Sequence, residues 1–200
     1  MYAALLDANV LVPTALCDTL LRLAGADFYR PLWSERILSE VEGAILGFRP
    51  DLDPERVHRR VLLMAATFED ASVEGWEQVS AGLDLPDPDD RHVLAAAISG
   101  GAQAIVTANL EDFPDDQLRG HGIEARHPDD FLLDQLDLFP GRTLDVARAA
   151  SRRSCASRDR PRRCAEQPGE LQRAELRRGR APSRPGRALA TVSAASEDLR

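Results

Sequence analysis

The chain has 200 residues, which is room for one domain and an extension. All 25 basic residues are arginines, and the absence of lysine excludes a Walker A phosphate-binding loop and Schiff-base catalysis. The charge is divided unevenly: 10 arginines face 26 acidic residues over residues 1–140, whereas 15 arginines face 7 acidic residues over residues 141–200.

Alternating strands and helices are predicted along the first half of the chain. A short apolar run at residues 2–6 predicts a buried strand that ends at Asp7. Leucines at helical spacing predict a helix over residues 14–24. Serine is a favoured N-cap and predicts a second helix from Ser34 to residue 46, and an Asp-Pro pair predicts a third helix over residues 53–68.

The same alternation continues to residue 140. Residues 71–73 predict a short strand, and a second Asp-Pro cap predicts a helix over residues 89–99 that Gly100 and Gly101 end. The remaining predicted elements are strands at 102–107 and 123–126 and a last helix at 128–136, with Pro140 ending the body. This order predicts an α/β fold with a mostly parallel sheet and helices on both faces.

The last 60 residues, 141–200, have a different composition. Arg, Ala, Ser, Pro and Gly make up 40 of them, and no aromatic residue is present. Such a segment buries too little apolar surface to offset its ordering entropy, so a disordered basic tail is predicted.

Composition also indicates the compartment. Three cysteines are too few for a disulfide framework, which favours a reducing environment. No apolar run reaches the roughly 18 residues of a membrane span. The N-terminus has no basic segment ahead of the first strand, so no signal peptide is predicted. The sequence therefore predicts a cytoplasmic protein without a membrane partner.

Polar side chains gather where the predicted strands end and where the helix at 89–99 begins. Ligand sites of open α/β sheets lie outside the carboxyl ends of the strands, so we expect these side chains to share one crevice. They are Asp7, Asp87, Asp89, Asp90, Thr107, Asn109 and Asp112. Carboxylates without a His or Cys partner suit Mg²⁺ or Mn²⁺, and such a cation is the basis of metal-assisted phosphodiester hydrolysis.

Each acid also has a structural interpretation. Asp7 could cap a turn, Asp90 could complement a helix N-terminus, and Asp112 could be an ordinary loop acid. In the second helix, helical periodicity does not separate Glu40 from Glu42 as the side chain that faces the crevice. The four histidines show no metal-ligand spacing and are expected on the surface or in the core.

Four segments, taken together and in order, resemble the motif regions of PIN-domain ribonucleases, and in particular the VapC-type toxins of bacterial toxin–antitoxin pairs. They are LLDANVLV (5–12), SERILSEVEGAI (34–45), PDPDDRHVLAAAI (86–98) and IVTANLEDFP (105–114). The resemblance spans nearly all of residues 1–140. It implies a PIN-like three-layer α/β/α domain over that range, with residues 141–200 outside it.

The resemblance also implies roles for particular residues. Asp7 and Asp90 would be the main Mg²⁺ (or Mn²⁺) ligands, and Glu40 and Asp112 would complete the catalytic acids. Many members carry an Asp two residues after the Thr of the fourth motif, where this chain has Asn109. Thr107 and Asn109 would then contact substrate or water. The implied partners are single-stranded RNA, a second copy of the chain and a cognate antitoxin protein.

Two other functions stay open, a catalytically silent PIN-like binding module and an acid-metal phosphatase that acts on a small molecule. The tail has alternatives of its own. Its arginines could contact RNA phosphates or fold back onto the acidic cleft. Alternatively, its Arg- and Ala-rich composition could come from GC-rich coding sequence read out of frame, in which case the tail has no function.

Overall fold

The central sheet has four parallel strands in the order β2-β1-β3-β4. The computed structural model describes residues 1–141 and residue 143. The strands are β1 (Ala3–Leu6), β2 (Arg30–Leu32), β3 (Ala104–Val106) and β4 (Glu124–Arg126). Leu5 of β1 is in register with Leu32 on one side and with Ile105 on the other. The carboxyl ends of β1 and β3 are therefore neighbours.

Eight helices surround the sheet within the described part of the chain and give the predicted three-layer α/β/α arrangement. They are α1 (Ala8–Leu11), α2 (Thr14–Gly25), α3 (Glu35–Phe48), α4 (Pro54–Thr67), α5 (Glu77–Ser80), α6 (Arg91–Gly100), α7 (Asp115–Leu118) and α8 (Pro128–Leu138). Single 3₁₀ turns lie at Glu69–Ala71, Pro88–Asp90, Leu110–Asp112 and Arg119–His121.

The predicted N-caps of α3 and α4 are confirmed. The Ser34 hydroxyl accepts a hydrogen bond from the amide of Ile37 (3.2 Å), and the Asp53 carboxylate accepts one from the amide of Glu55 (3.1 Å). Each cap satisfies an amide that the first helical turn leaves unpaired.

Helix α6 packs closely against the sheet and contacts β1 and β3. It is buried from His92 to Ala97, and three of these side chains are alanines, whose small size permits a close approach. A Cβ atom at Gly100 would lie 2.8 Å from Val73 Cγ2 and 2.9 Å from Leu32 Cδ1, so any other residue here would force these side chains to shift. Gly101 has φ +66° and ends the helix in the left-handed conformation, as the Gly-Gly pair predicts.

Two predicted elements differ from the structure, and some short elements were not predicted. Residues 71–73 form no strand, because a 3₁₀ turn runs through Ala71 and Ser72 makes only an isolated bridge to Trp33. The helix predicted from residue 89 begins at Arg91, because Asp87 accepts a hydrogen bond from the amide of Asp89 and tightens residues 88–90 into a 3₁₀ turn. The strand β2 is absent from the sequence prediction.

The described chain continues past Pro140, where the amide of Thr143 donates to the carbonyl oxygen of Phe139 (3.0 Å). Across the described residues, no helix is both long enough and apolar enough to cross a membrane. The disorder predicted for residues 141–200, and the alternatives for that tail, fall almost entirely outside the described residues.

Candidate active site

Asp7 lies where β1 ends and where α1 begins, and its carboxylate is held on several sides. Oδ1 accepts from the amide of Ala8 (2.6 Å), which makes Asp7 the N-cap of α1. Oδ2 accepts from Asn9 Nδ2 (2.6 Å) and from the hydroxyl of Thr107 (2.7 Å). The capping interpretation of Asp7 is therefore correct, and it accompanies the crevice position that the sequence predicts.

Asn9 connects the ends of β1 and β3. Its Nδ2 donates to Thr107 Oγ1 (2.9 Å) as well as to Asp7, and its Oδ1 accepts from the amide of Ala108 (3.0 Å). Asn9 is not among the residues predicted from the sequence to form the site, although its place two residues after a strand-ending acid is a usable signal. Thr107, which the sequence predicts to contact substrate or water, is fully buried. Its hydroxyl instead donates to the Asp7 carboxylate.

Asp90 ends the 3₁₀ turn that precedes α6 and is half-buried. The pKa of Asp90 is raised to about 7, first by burial and then by the negative charges of Asp7, Asp112 and Asp87. Burial also raises the pKa of Asp7 to about 6, against the hydrogen bonds from Thr107 and Ala8, which lower it. The structure thus brings Asp7 and Asp90 together, and both resist ionisation.

Asp112 and Asn109 lie on the loop that follows β3. Burial raises the pKa of Asp112, followed by repulsion from Asp87 and Glu111. Asn109 is 9% exposed, and its buried Oδ1 has no hydrogen-bond partner among the described residues. An unpaired buried oxygen is costly, so this atom is available to accept from water or to bind a cation.

Glu40 is the α3 acid that faces the crevice. Its charge contributes to the raised pKa of Asp7, after the larger effect of burial. Its Oε2 lies 3.1 Å from His92 Nε2, and its Oε1 lies 3.3 Å from Arg36 Nε. Glu42 instead pairs with His58 of α4 at 2.7 Å. The contacts with two different histidines therefore separate the two glutamates that periodicity does not.

His92 is a site residue that the sequence analysis places only in the surface-or-core class. The side chain is 3% exposed and connects α6 to Glu40 of α3. Its one sequence signal is a position two residues after Asp90. His92 is a core residue, which agrees with the surface-or-core expectation for the histidines. Its partner Glu40 lies 52 residues away in sequence, so local patterns do not reveal the contact.

The acids suit a hard cation that is bound by few protein ligands. No group of three or more His, Cys, Asp or Glu side chains within residues 1–141 and 143 is placed to hold a metal ion by itself. Mg²⁺ usually takes one or two carboxylates together with water and substrate oxygens. Asp7 and Asp90 fit that kind of site, and the unpaired Oδ1 of Asn109 is a neutral oxygen on the loop that also carries Asp112. A cation would stabilise the two ionised carboxylates against the burial and repulsion that raise their pKa values.

A cavity lies away from these acids. A volume of about 500 Å³ opens at the amino ends of β1 and β2, where Met1, Arg30 and Phe68 are among the lining residues. None of the predicted site residues lines it, so the acids occupy the opposite, carboxyl edge of the sheet.

A protein-family model described as "PIN domain" matches residues 3–111, which is more than half of the chain. The chain therefore belongs to the PIN domain family, and the resemblance seen in its four motif segments is confirmed. It is also similar to a protein of Mycobacterium tuberculosis (strain ATCC 25618 / H37Rv) named "Putative ribonuclease VapC50", with 63% identity over 57 residues. That match covers 28% of this chain and 34% of the relative, so the chain matches about a third of the relative's length. No solved structure gives a significant match.

Proposed function

We propose that the protein is a metal-dependent endoribonuclease that cleaves single-stranded RNA and acts as the toxin of a toxin–antitoxin pair. The observation that carries the proposal is the buried carboxylate of Asp7 beside the half-buried carboxylate of Asp90, whose pKa it raises, at the carboxyl edge of a PIN-domain sheet. The name of the mycobacterial relative supports the ribonuclease class. Residues 1–140 form the nuclease domain in this proposal.

Asp7 and Asp90 would hold the cation, which is Mg²⁺ or Mn²⁺. A bound divalent cation supplies a water of lowered pKa and neutralises charge on the phosphate. Asn9, Thr107 and the Ala8 amide fix the orientation of the Asp7 carboxylate. Fixed ligands lose no orientational freedom when the substrate reacts.

Glu40 and Asp112 position the attacking water in this mechanism. The water oxygen forms a bond to phosphorus as one of its O–H bonds breaks. The opposite ester P–O bond breaks, and the proton released by the water balances the one that the leaving oxygen takes up. No covalent enzyme intermediate forms. Glu40 is suited to this role because its carboxylate is partly exposed to incoming water while His92 holds one of its oxygens.

The proposed partners are RNA, an antitoxin protein and a second copy of the chain. The adjacent side chains of Leu62 and Leu63 on α4 are 54% and 62% exposed, which supports an apolar contact between copies. The described body is strongly acidic, so RNA phosphates need a cation or the arginines of the tail to approach it.

RNA cleavage by the full chain tests the function. A pool of single-stranded RNAs is incubated with wild-type protein in Mn²⁺ and in EDTA, and with the Asp7→Asn variant. Asp51→Asn is the matched control, because Asp51 is exposed and forms its ion pair with Arg49 near the start of α4, outside the site. Cleavage that needs both Mn²⁺ and Asp7 but not Asp51 is expected.

A second candidate, the catalytically silent PIN module, is favoured by Asn109 at the position where many relatives have an acid. Unchanged RNA after incubation with folded, Mn²⁺-binding protein would establish it. Hydrolysis of a chromogenic phosphate monoester without RNA cleavage would instead favour the small-molecule phosphatase.

A further inference from the structure

We propose that His92 is a positioning residue that holds the Glu40 carboxylate in the active site across the space between α6 and α3. The inference rests on the proposed nuclease function and adds to it a residue outside the acidic set.

The His92 ring is fixed on three sides. Nδ1 lies 2.6 Å from the carbonyl oxygen of Asp89, and a carbonyl oxygen only accepts, so Nδ1 carries a proton and donates it. The opposite nitrogen, Nε2, lies 3.1 Å from Glu40 Oε2. The ring also meets Trp76 edge-on, with the ring centroids 6.0 Å apart. A buried ring with these contacts has one orientation.

His92 Nε2 and Glu40 Oε2 share a hydrogen bond, in which one proton lies between the two atoms. Two lone pairs at 3.1 Å would repel each other, so one of the two atoms must donate. A hydrogen bond between an imidazole and a carboxylate is charge-assisted and is stronger than one between neutral groups. Because His92 is buried, water competes weakly for this bond.

Within residues 1–141 and 143, Glu40 has no comparable second anchor. Its other bond joins Arg36 one helical turn away, at 3.3 Å, between side chains that are 47% and 39% exposed. Exposed pairs of this kind contribute little to stability. Without His92 the Glu40 side chain would therefore sample several rotamers at the edge of the site.

The same ring joins two of the proposed catalytic acids. Asp89, whose carbonyl orients the ring, directly precedes Asp90 in the 3₁₀ turn. Through His92, the turn that carries Asp90 is therefore linked to the helix that carries Glu40. A link of this kind would fix the position of Glu40 relative to the turn that carries Asp90.

A double-mutant cycle tests the proposal in the full chain. The variants are His92→Phe, Glu40→Gln and the double variant, with His92→Gln as the conservative replacement. In Mn²⁺-dependent RNA cleavage we expect His92→Phe to lower kcat about tenfold with little change in KM. The double variant should be no slower than Glu40→Gln, and His92→Gln should recover part of kcat because its amide can donate.

A second readout uses no metal and no RNA. Urea unfolding in EDTA of wild type, His92→Phe, Glu40→Gln and the double variant should give a coupling of about tenfold in the unfolding equilibrium constant, as for a hydrogen bond to a charged group. The matched control is the His58–Glu42 pair, which has the same chemistry at 2.7 Å but is exposed and outside the site. His58→Phe should leave kcat unchanged and should show little coupling with Glu42→Gln.

An equal loss of kcat from His92→Phe in the wild-type and Glu40→Gln backgrounds would overturn the proposal, because the ring would then act through packing alone. Absence of coupling in EDTA would overturn it as well. If the wild-type protein cleaves no RNA, the nuclease function fails by itself. The coupling measured in EDTA then decides whether His92 holds Glu40.

Discussion

The hydroxyl of Thr107 donates a 2.7 Å hydrogen bond to Oδ2 of Asp7, although 100 residues separate the two side chains in sequence. The parallel register of β1 and β3 brings them together, because Leu6 lies opposite Val106 and the next residue of each strand leaves the sheet at the same edge. The acid that follows the first strand is thus oriented by the strand beside it.

Replacement of Thr107 by Val should show this dependence. The substitution removes a donor to Asp7 and an acceptor for Asn9 and for the amide of Asn109. Leaving buried polar groups unpaired should cost about 1–3 kcal/mol of unfolding free energy. It should also raise the pKa of Asp7 further, which moves the acidic limb of the cleavage pH profile to higher pH.

The control for this prediction is Thr19→Val, because the Thr19 hydroxyl donates to a backbone carbonyl oxygen of its own helix and lies outside the site. A Thr107→Val protein with wild-type stability and an unmoved pH profile would contradict the account.

Ionisation of Asp7 should lower the free energy of unfolding of the metal-free protein as the pH rises past the pKa of this carboxyl. Burial raises the pKa of Asp7 from 3.8 to about 6 in the folded state. The folded protein therefore binds the proton more tightly than the unfolded chain does. The resulting stabilisation is present below pH 4 and is lost as pH rises through about 6.

Asp7→Asn cannot ionise and should escape this loss. Between pH 4 and pH 8 in EDTA, the unfolding free energy of the variant relative to wild type should rise by up to about 3 kcal/mol. Urea unfolding at the two pH values measures it. A relative stability that does not change with pH would show that Asp7 ionises as easily as an exposed carboxyl.

Asn109→Asp should lower the stability of the metal-free protein and raise its affinity for Mn²⁺. The position is almost fully buried beside other acids, so a carboxylate there should destabilise the metal-free protein. With Mn²⁺ present it should add a ligand and tighten binding about tenfold or more. Calorimetric titration and unfolding in EDTA measure the two effects, and unchanged Mn²⁺ affinity would place residue 109 outside the cation site.

Two glycines offer a matched test of the fold. Gly100→Ala should lower the unfolding free energy by about 1–3 kcal/mol, since its Cβ would meet Val73 and Leu32 at less than 3 Å. Gly43→Ala, in α3 with open space around it, should instead stabilise the protein by up to about 1 kcal/mol. Equal effects of the two substitutions would contradict the close approach of α6 to the sheet.

Local signals account for what the sequence predicts well. Ser34 and Asp53 cap their helices through neighbours two or three residues away, and Asp7 is visible as the first polar residue after a buried strand. These features depend on short stretches of chain, which a pattern of residue types describes directly.

The features that the sequence does not predict depend on partners far along the chain. Strand β2 has only three residues, one of them a proline, and becomes a strand by pairing with β1. Glu40 differs from Glu42 only because His92 lies opposite one and His58 opposite the other. No periodicity within α3 contains that information.

The most direct test of the central claim is Mn²⁺ binding to the full chain, measured by calorimetric titration at pH 8. Wild-type protein and Asp51→Asn should bind alike, whereas Asp7→Asn and Asp90→Asn should bind at least about tenfold more weakly. Binding to wild type should also weaken at pH 5.5, where protons occupy carboxyls whose pKa values are about 6 and 7. Equal affinity in wild type and Asp7→Asn would contradict the assignment of Asp7 and Asp90 as the cation-binding pair.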